Sequence, residues 1–204
     1  MYKFSSLLDQ LAREGWAVSQ DFLPRVEIEA LADEARRFWE LGSFGPAGIG
    51  RSLDFSVRTE IRSDYIYWLD EQSASRLQQK YLEEIEGFRR ELNRNLFAGL
   101  TDFEAHFACY PPGAFYRRHL DRFKAADERI ISCTLYLNAN WREEDRGALR
   151  IYTESAHAGF LDILPRAGVF VAFRSDTIFH EVLPATKERL SLTGWLKRRS
   201  RSIL

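Results

Sequence analysis

Hydrophobic residues change their spacing once along this chain, close to residue 100. Before that point they recur every three to four positions, as on one face of a helix. Leu7, Leu8 and Leu11, with Trp16 as a candidate fourth member, mark one stripe. Val26, Ile28, Leu31, Ala35, Phe38 and Trp39 mark a second, and Asp21 and Pro24 ahead of it are helix-start signals. A third helix is predicted over roughly 72–99, with Leu77, Tyr81, Phe88, Leu92 and Leu96 facing inward. Such stripes are most simply core-packing faces.

From 102 onward the period is two. Strands are predicted at 103–110, 116–121, 129–138, 147–153, 160–164, 168–174, 177–183 and 188–197. Turn residues such as Pro111-Pro112-Gly113, Asp145-Arg146-Gly147 and Pro165-Arg166-Ala167-Gly168 separate them. Eight short strands in so little chain point to a double-sheet jelly roll or a barrel. Nothing between the helices and the strands reads as a linker, so the expected fold class is α+β, one domain over 1–204. Residues 1–100 would be mainly helical support and 101–198 the jelly-roll core.

Two stretches fit neither period. Gly42-Ser43-Phe44-Gly45-Pro46-Ala47-Gly48-Ile49-Gly50 lacks the strand-before, helix-after setting of a phosphate loop and reads as a mobile connection. Residues 51–70 alternate enough for a hairpin or a strand-like loop ending in Tyr65, Tyr67 and Trp68. With Ile61, these aromatics are too apolar for a plain surface loop, so 51–64 is expected to be mobile in the free protein and to order over a large partner.

Composition removes several function classes. A net charge of −1 gives no bulk attraction for nucleic acid or an anionic membrane. The N-terminus MYKFSSLLDQLAREGW has no continuous apolar run of the signal-peptide kind, and no stretch is long enough to span a bilayer. Cys109 and Cys133 each sit in an apolar run and read as buried free thiols of a reducing cytoplasm. A cytoplasmic monomer is expected. The basic end Leu196-Lys197-Arg198-Arg199-Ser200-Arg201-Ser202 reads as a solvated, frayed terminus, with docking of an acidic partner as the other reading.

Candidate chemistry is concentrated in three places. His119 and Asp121, two apart on a predicted strand, project to one face, and Arg117 shares it. His180, 59 residues after Asp121, can complete a site from a neighbouring strand. Two imidazoles and a carboxylate, with open positions opposite, are the ligands of non-heme Fe(II) oxygenases. Arg189 adds a permanently charged fork suited to a carboxylate. Ser191, Thr193 and Trp195 share its face, and on 129–138 one face carries Ser132, Thr134, Tyr136 and Asn138. Tyr136 can donate its phenol proton to the carboxylate that Arg189 holds. Val182 shares the parity of His180, Glu181 faces out, His106 shares that of Tyr110, and His157 is a loop residue.

At these residues the chain resembles a known family. Ala108-Cys109-Tyr110-Pro111, Tyr116-Arg117-Arg118-His119-Leu120-Asp121, Cys133 to Asn138, Gly147 to Ile151, and His180-Glu181-Val182 through Arg189 and Trp195 are similar to the 2-oxoglutarate-dependent prolyl 4-hydroxylases. Within that family they look most like the hypoxia-sensing prolyl hydroxylases and their bacterial counterparts. Glu60 to Trp68 also resembles that subfamily, where the segment adjoins a mobile finger loop, here 51–69.

The resemblance implies a double-stranded β-helix (jelly roll) braced by the N-terminal helices. It implies Fe(II) bound by His119, Asp121 and His180, and 2-oxoglutarate held by Arg189 and Tyr136. Tyr110 would stand beside them as a hydrogen-bond donor, and Leu149, Val182, Thr193 and Trp195 would line the pocket. Arg62, Asp64, Arg129 and Tyr116 would meet the substrate, Asp64 pairing with Arg129 in the closed form. Two places depart from the pattern. The turn Pro111 to Phe115 is one residue shorter than in the animal enzymes, and Thr134 stands where an apolar wall residue is usual.

The implied reaction uses dioxygen, decarboxylates 2-oxoglutarate to succinate and CO2 and hydroxylates a prolyl residue, with ascorbate a candidate stimulant. Asp121 favours hydroxylation over the related halogenations, which need that ligand position vacant. By analogy with bacterial relatives, elongation factor Tu is the first protein substrate to test. The alternatives are a hydroxylase of a free amino acid or other small molecule, an iron dioxygenase without 2-oxoglutarate, and a silent binding module. The Arg189–Tyr136 anchor disfavours an iron dioxygenase without 2-oxoglutarate, and the complete ligand set disfavours a silent binding module.

Overall fold

The computed structural model of the protein describes residues 3–48, 56–122 and 128–199. Three helices, α1 (Ser5–Glu14), α2 (Arg25–Glu40) and α3 (Arg76–Leu96), precede most of the strands. These strands are β1 (Trp16–Ser19), β2 (Gly45–Pro46), β3 (Tyr65–Trp68), β4 (Asp102–Tyr110), β5 (Tyr116–His119) and β6 (Arg129–Tyr136). They continue with β7 (Leu149–Tyr152), β8 (Phe160–Ile163), β9 (Phe170–Arg174), β10 (His180–Val182) and β11 (Arg189–Lys197). All eight strands expected after residue 102 form, most of them a residue or two shorter.

They build an antiparallel jelly roll. The major sheet runs β1-β9-β6-β11-β4-β3-β2, and the minor sheet runs β5-β10-β7-β8. The alternation along β4 shows how the two faces are used. Phe107 and Cys109 turn outward into the helix-side core, whereas Ala108 and Tyr110 turn inward between the sheets. Leu7, Leu8 and Leu11 of α1, Ile28, Leu31 and Ala35 of α2, and Tyr81, Ile85, Phe88 and Leu92 of α3 fill the first core. Phe22 stacks on Phe170 at 3.8 Å between ring centroids, fixing the β1–α2 connection to the sheet. Cys109 and Cys133 are buried free thiols.

Several local expectations change. Gly15, in the left-handed region at φ 77°, ends α1, so Trp16 opens an edge strand rather than extending the helical stripe. Val26 is 70% exposed, because α2 begins at Arg25 and its buried face starts at Ile28. The third helix is shorter than 72–99. The Ser75 hydroxyl caps it by accepting from Gln78 N, and Leu96 at its end is exposed. Gly45 and Pro46, within the glycine-rich connection, pair with Ile66 and Tyr65 as the far edge of the major sheet. Residues 49–55, part of that connection and of the finger-like segment, lie outside the described residues. At the C-terminal end, Lys197 completes β11 and pairs with Asp102 and Glu104, and Arg198 donates to Ala98 O. The basic run therefore begins inside the sheet; residues 200–204 lie outside the described residues. Among the described residues no helix is long and apolar enough to cross a membrane.

The centre of the major sheet depends on a missing side chain. A Cβ at Gly194 on β11 would stand 2.5 Å from Glu104 O and 2.9 Å from Ala105 Cβ. Both neighbours belong to β4, which is held by pairing along its whole length with β11. Gly194→Ala should therefore cost about 2–3 kcal/mol through overpacking. A lowered urea midpoint at unchanged m-value checks this, and an unchanged midpoint would show that β4 yields.

Candidate active site

The site lies between the two sheets, in a cavity lined from both. β4 supplies His106, Ala108 and Tyr110; β6 supplies Thr134 and Tyr136; β11 supplies Arg189, Ser191, Thr193 and Trp195. From the minor sheet come Tyr116, His119, Leu149, His180 and Val182. The parity assigned to β11, β6 and β10 from the sequence holds at each of these positions.

β5 is where parity slips. His180 pairs with His119, but Val182 pairs with Tyr116, so three steps on β5 match two on β10. This bulge puts Tyr116 and His119 in the cavity together, stacked at 3.5 Å between centroids. Arg117, expected to face inward, is exposed and donates to the Glu60 carbonyl. Asp121 lies beyond the end of β5, in a turn held by Arg122 N donating to Ser175 O.

His119, Asp121 and His180 come together: their ligand atoms all lie within 4.8 Å of one another. His119 Nε2 is 3.4 Å from one Asp121 carboxylate oxygen and His180 Nε2 is 3.6 Å from the other. Each histidine points its other nitrogen at a backbone carbonyl, His119 Nδ1 at Arg117 O (2.7 Å) and His180 Nδ1 at Ile178 O (3.2 Å). That arrangement turns both Nε2 atoms toward the carboxylate, on the side where a metal ion would sit. Burial, aided by the neighbouring His119, pushes His180 down to about 4. Burial alone would raise the Asp121 carboxyl, but His180, His119 and the Ser132 hydroxyl outweigh it and hold it well below the ordinary range. Two neutral imidazoles and an ionised carboxylate are the donor set a divalent transition metal requires.

Ser132 is a residue whose part the sequence did not reveal. Its hydroxyl donates to Asp121 at 2.6 Å and also meets the Ser175 hydroxyl. Parity put it on the cavity face of β6, but nothing local predicted that a turn residue would reach it. Phe173 packs on the His180 ring at 4.5 Å between centroids and was likewise not foreseen.

At the other end of the cavity Arg189 is 2% exposed. Its Nε donates to Gly147 O at 3.0 Å, and its guanidinium lies 5.0 Å from the Tyr110 ring and 4.9 Å from the Tyr136 ring. It makes no ion pair among the described residues. The Tyr136 hydroxyl is buried without a hydrogen-bond partner among the described residues. Burial raises the Tyr136 phenol despite the neighbouring Arg189, so it remains a proton donor.

At the mouth Asp64, expected to meet Arg129 in the closed form over a target, pairs with Arg62 in this structure. Asp64 is buried and takes a two-pronged bond from Arg62, at 2.8 and 2.6 Å, across two residues of the same chain segment. Arg129 instead lies 3.5 Å over the Trp195 ring and pairs with Glu104. Arg62 also covers the Tyr116 ring, and the backbone at Ile61 and Ser63 pairs with Arg117 and Phe115. Residues 61–64 are thus tied to β5. Burial works against the Arg62 charge, but the bond to Asp64 outweighs it and raises its pKa. Asp64→Ala strands that buried cation and should cost about 3 kcal/mol. An unchanged urea midpoint for Asp64→Ala would mean that the pair adds nothing to the fold.

A family model of the 2OG-Fe(II) oxygenase superfamily matches residues 105–197, which hold every one of these cavity residues except Arg62. A hypoxia-inducible factor prolyl hydroxylase of Caenorhabditis elegans is 32% identical over 98% of this chain, which spans 29% of that relative's length. The crystal structure of a Pseudomonas putida prolyl-4-hydroxylase is 45% identical, covers 96% of this chain and 99% of its own, and superposes with a TM-score of 0.86. A prolyl hydroxylase of Trichoplax adhaerens, solved with a hypoxia-inducible factor peptide, is 26% identical over 94% of this chain and 87% of its own, with a TM-score of 0.84. The chain belongs to the Fe(II)- and 2-oxoglutarate-dependent oxygenases, among the prolyl hydroxylases.

Proposed function

We propose that the protein hydroxylates a prolyl residue of a protein substrate, consuming 2-oxoglutarate and dioxygen and releasing succinate and CO2. The observation that carries this reading is that the His119–Asp121–His180 cluster shares one cavity with a buried guanidinium that makes no ion pair among the described residues. An unpaired buried charge costs several kcal/mol, so Arg189 is suited to a ligand that brings its own negative charge.

Fe(II) held by His119, Asp121 and His180, with 2-oxoglutarate, would supply dioxygen activation and oxidative decarboxylation. The chain's own groups do the rest. Arg189 and Tyr136 bind the far carboxylate of the co-substrate, the first as a charged fork and the second as a phenol donor. The Arg117 and Ile178 carbonyls accept from Nδ1 of the two histidines and keep Nε2 free, while Ser132 orients Asp121. Leu149 and Val182 exclude water along the apolar side, and Tyr110 stands beside Arg189. Arg62, Tyr116 and Trp195 shape the side of the cavity toward the target, with Asp64 fixing Arg62 and Arg129 bracing Trp195.

Elongation factor Tu is the first target to test, on the likeness to bacterial relatives. The test measures succinate formed against hydroxyproline formed, with elongation factor Tu and with free proline. A ratio near one with the protein and idle turnover with proline supports the proposal. The reverse result would make the protein a small-molecule hydroxylase.

A further inference from the structure

The cavity wall facing the two histidine ligands is more polar than a proline ring requires. His106 on β4, Thr193 on β11 and Thr134 on β6 are direct cross-strand partners, so they form one row across the major sheet. All three line the cavity. Thr134 and Thr193 share a long hydroxyl contact of 3.4 Å, and Thr193 makes another of 3.3 Å with Ser191. The His106 Nδ1 and the Trp195 Nε1 are buried and have no hydrogen-bond partner among the described residues. Their rings lie 5.4 Å apart, and the half-exposed Trp68 packs edge-on against His106 at 4.8 Å.

Two ring nitrogens left unpaired on adjacent side chains of a buried wall each cost roughly 1–3 kcal/mol, a cost that a ligand bearing the right atom removes. The indole N–H is a donor only, so that atom is an acceptor. Burial, with the Arg62 and Arg129 charges nearby, pushes His106 down to about 3. Its imidazole is therefore neutral in ordinary buffers and brings one N–H whichever tautomer it adopts. A prolyl segment matches this wall. At the proline itself the imide nitrogen carries no hydrogen, so the backbone polar atom offered there is a carbonyl oxygen. The co-substrate is a poorer match. Arg189 and Thr193 are four residues apart on β11, about 13 Å of strand, so the row lies well along the sheet from the side chain proposed to hold the co-substrate's far carboxylate.

We infer that His106 is a specificity-determining residue: with the Trp195 indole it binds a backbone carbonyl oxygen of the target's prolyl segment. The inference rests on the prolyl hydroxylase reading above. It also gives Thr134, at a position where an apolar side chain is usual in the family it resembles, a place in the same polar row. The plainer account is that His106 merely fills the space between two indoles, and a pair of variants separates them. His106→Met keeps the volume and loses the hydrogen bond; His106→Gln keeps a donor and an acceptor.

The probe is a library of proline-containing peptides, read by mass spectrometry for added oxygen, followed by kinetics on the peptide that the wild type hydroxylates best. His106→Met should raise KM for that peptide about ten-fold, the loss of roughly one hydrogen bond. KM for 2-oxoglutarate should move far less than KM for the peptide, and His106→Gln should recover most of the peptide affinity. Equal peptide KM for wild type and His106→Met overturns the inference. So does an equal rise with both variants, which marks a packing role, or a 2-oxoglutarate KM that shifts as much as the peptide KM, which assigns the imidazole to the co-substrate. If the wild type hydroxylates no peptide at its proline, the prolyl reading itself fails and the inference with it.

Discussion

His119→Ala and His180→Ala should each abolish turnover while leaving the jelly roll folded. Both side chains face the cavity, and the cores on either side of the major sheet are built from other residues. Two remaining ligands bind a divalent ion far more weakly than three, so the loss should exceed a thousand-fold at any practical iron concentration. A readout independent of activity is available. A metal that binds only the folded protein stabilises it by about 2.7 kcal/mol at a hundred times its dissociation constant. Wild type should therefore melt higher with added Mn(II), and both variants should melt at the same temperature with and without it. Turnover by either variant at saturating iron, or a metal-dependent melting shift that survives the substitution, would remove these histidines from the metal site.

That the triad could be found by spacing alone owes something to compensation. The strand parity that grouped His119 with Asp121 is not what brings them together. β5 ends at His119 and the carboxylate arrives from the following turn, where Ser132 and the two imidazoles hold it. The same parity mistakenly placed Arg117 in the cavity. The bulge against β10 is set by a partner strand over sixty residues away, which no local pattern in 116–121 encodes. Where a strand is long and paired on both sides, as β11 is between β4 and β6, parity was sufficient and Arg189, Ser191, Thr193 and Trp195 all line the cavity.

The helical half shows the same division. The middle of each stripe was legible because a buried face repeats, and the ends were not because they depend on caps. Gly15 stops α1 before Trp16, Ser75 starts α3 later than expected, and Val26 stays in solvent one residue inside α2. β3 and the short β2 exist because β4 offers an edge to pair with, a tertiary fact that the glycine-rich segment does not announce. At the mouth, likeness to relatives suggested a pairing of Asp64 with Arg129 in the closed form over a target, and the structure shows what each is bound to without one. Arg62, only two residues from Asp64, claims the carboxylate first, and Glu104 lies beside Arg129 to balance it.

Arg189→Lys should raise the KM for 2-oxoglutarate ten- to a hundred-fold, with kcat much less affected at saturating co-substrate. One guanidinium can donate from Nε to Gly147 O and still present its two terminal nitrogens to a carboxylate. An ammonium at the end of a different stem reproduces at most part of that pattern, and each charge-assisted bond lost is worth about 1.5–3 kcal/mol. Stability should move the other way in a second variant. Arg189 is buried without an ion pair among the described residues, so Arg189→Met replaces a costly buried charge by an apolar chain of similar reach. The apo protein should then melt at the same temperature as wild type or above it, while activity is lost and added 2-oxoglutarate no longer stabilises the metal-loaded form. That opposition separates an anchor from a structural cation. If the 2-oxoglutarate KM of Arg189→Lys is unchanged and Arg189→Met melts several degrees lower, the guanidinium serves the fold, and the co-substrate must be held elsewhere in the cavity.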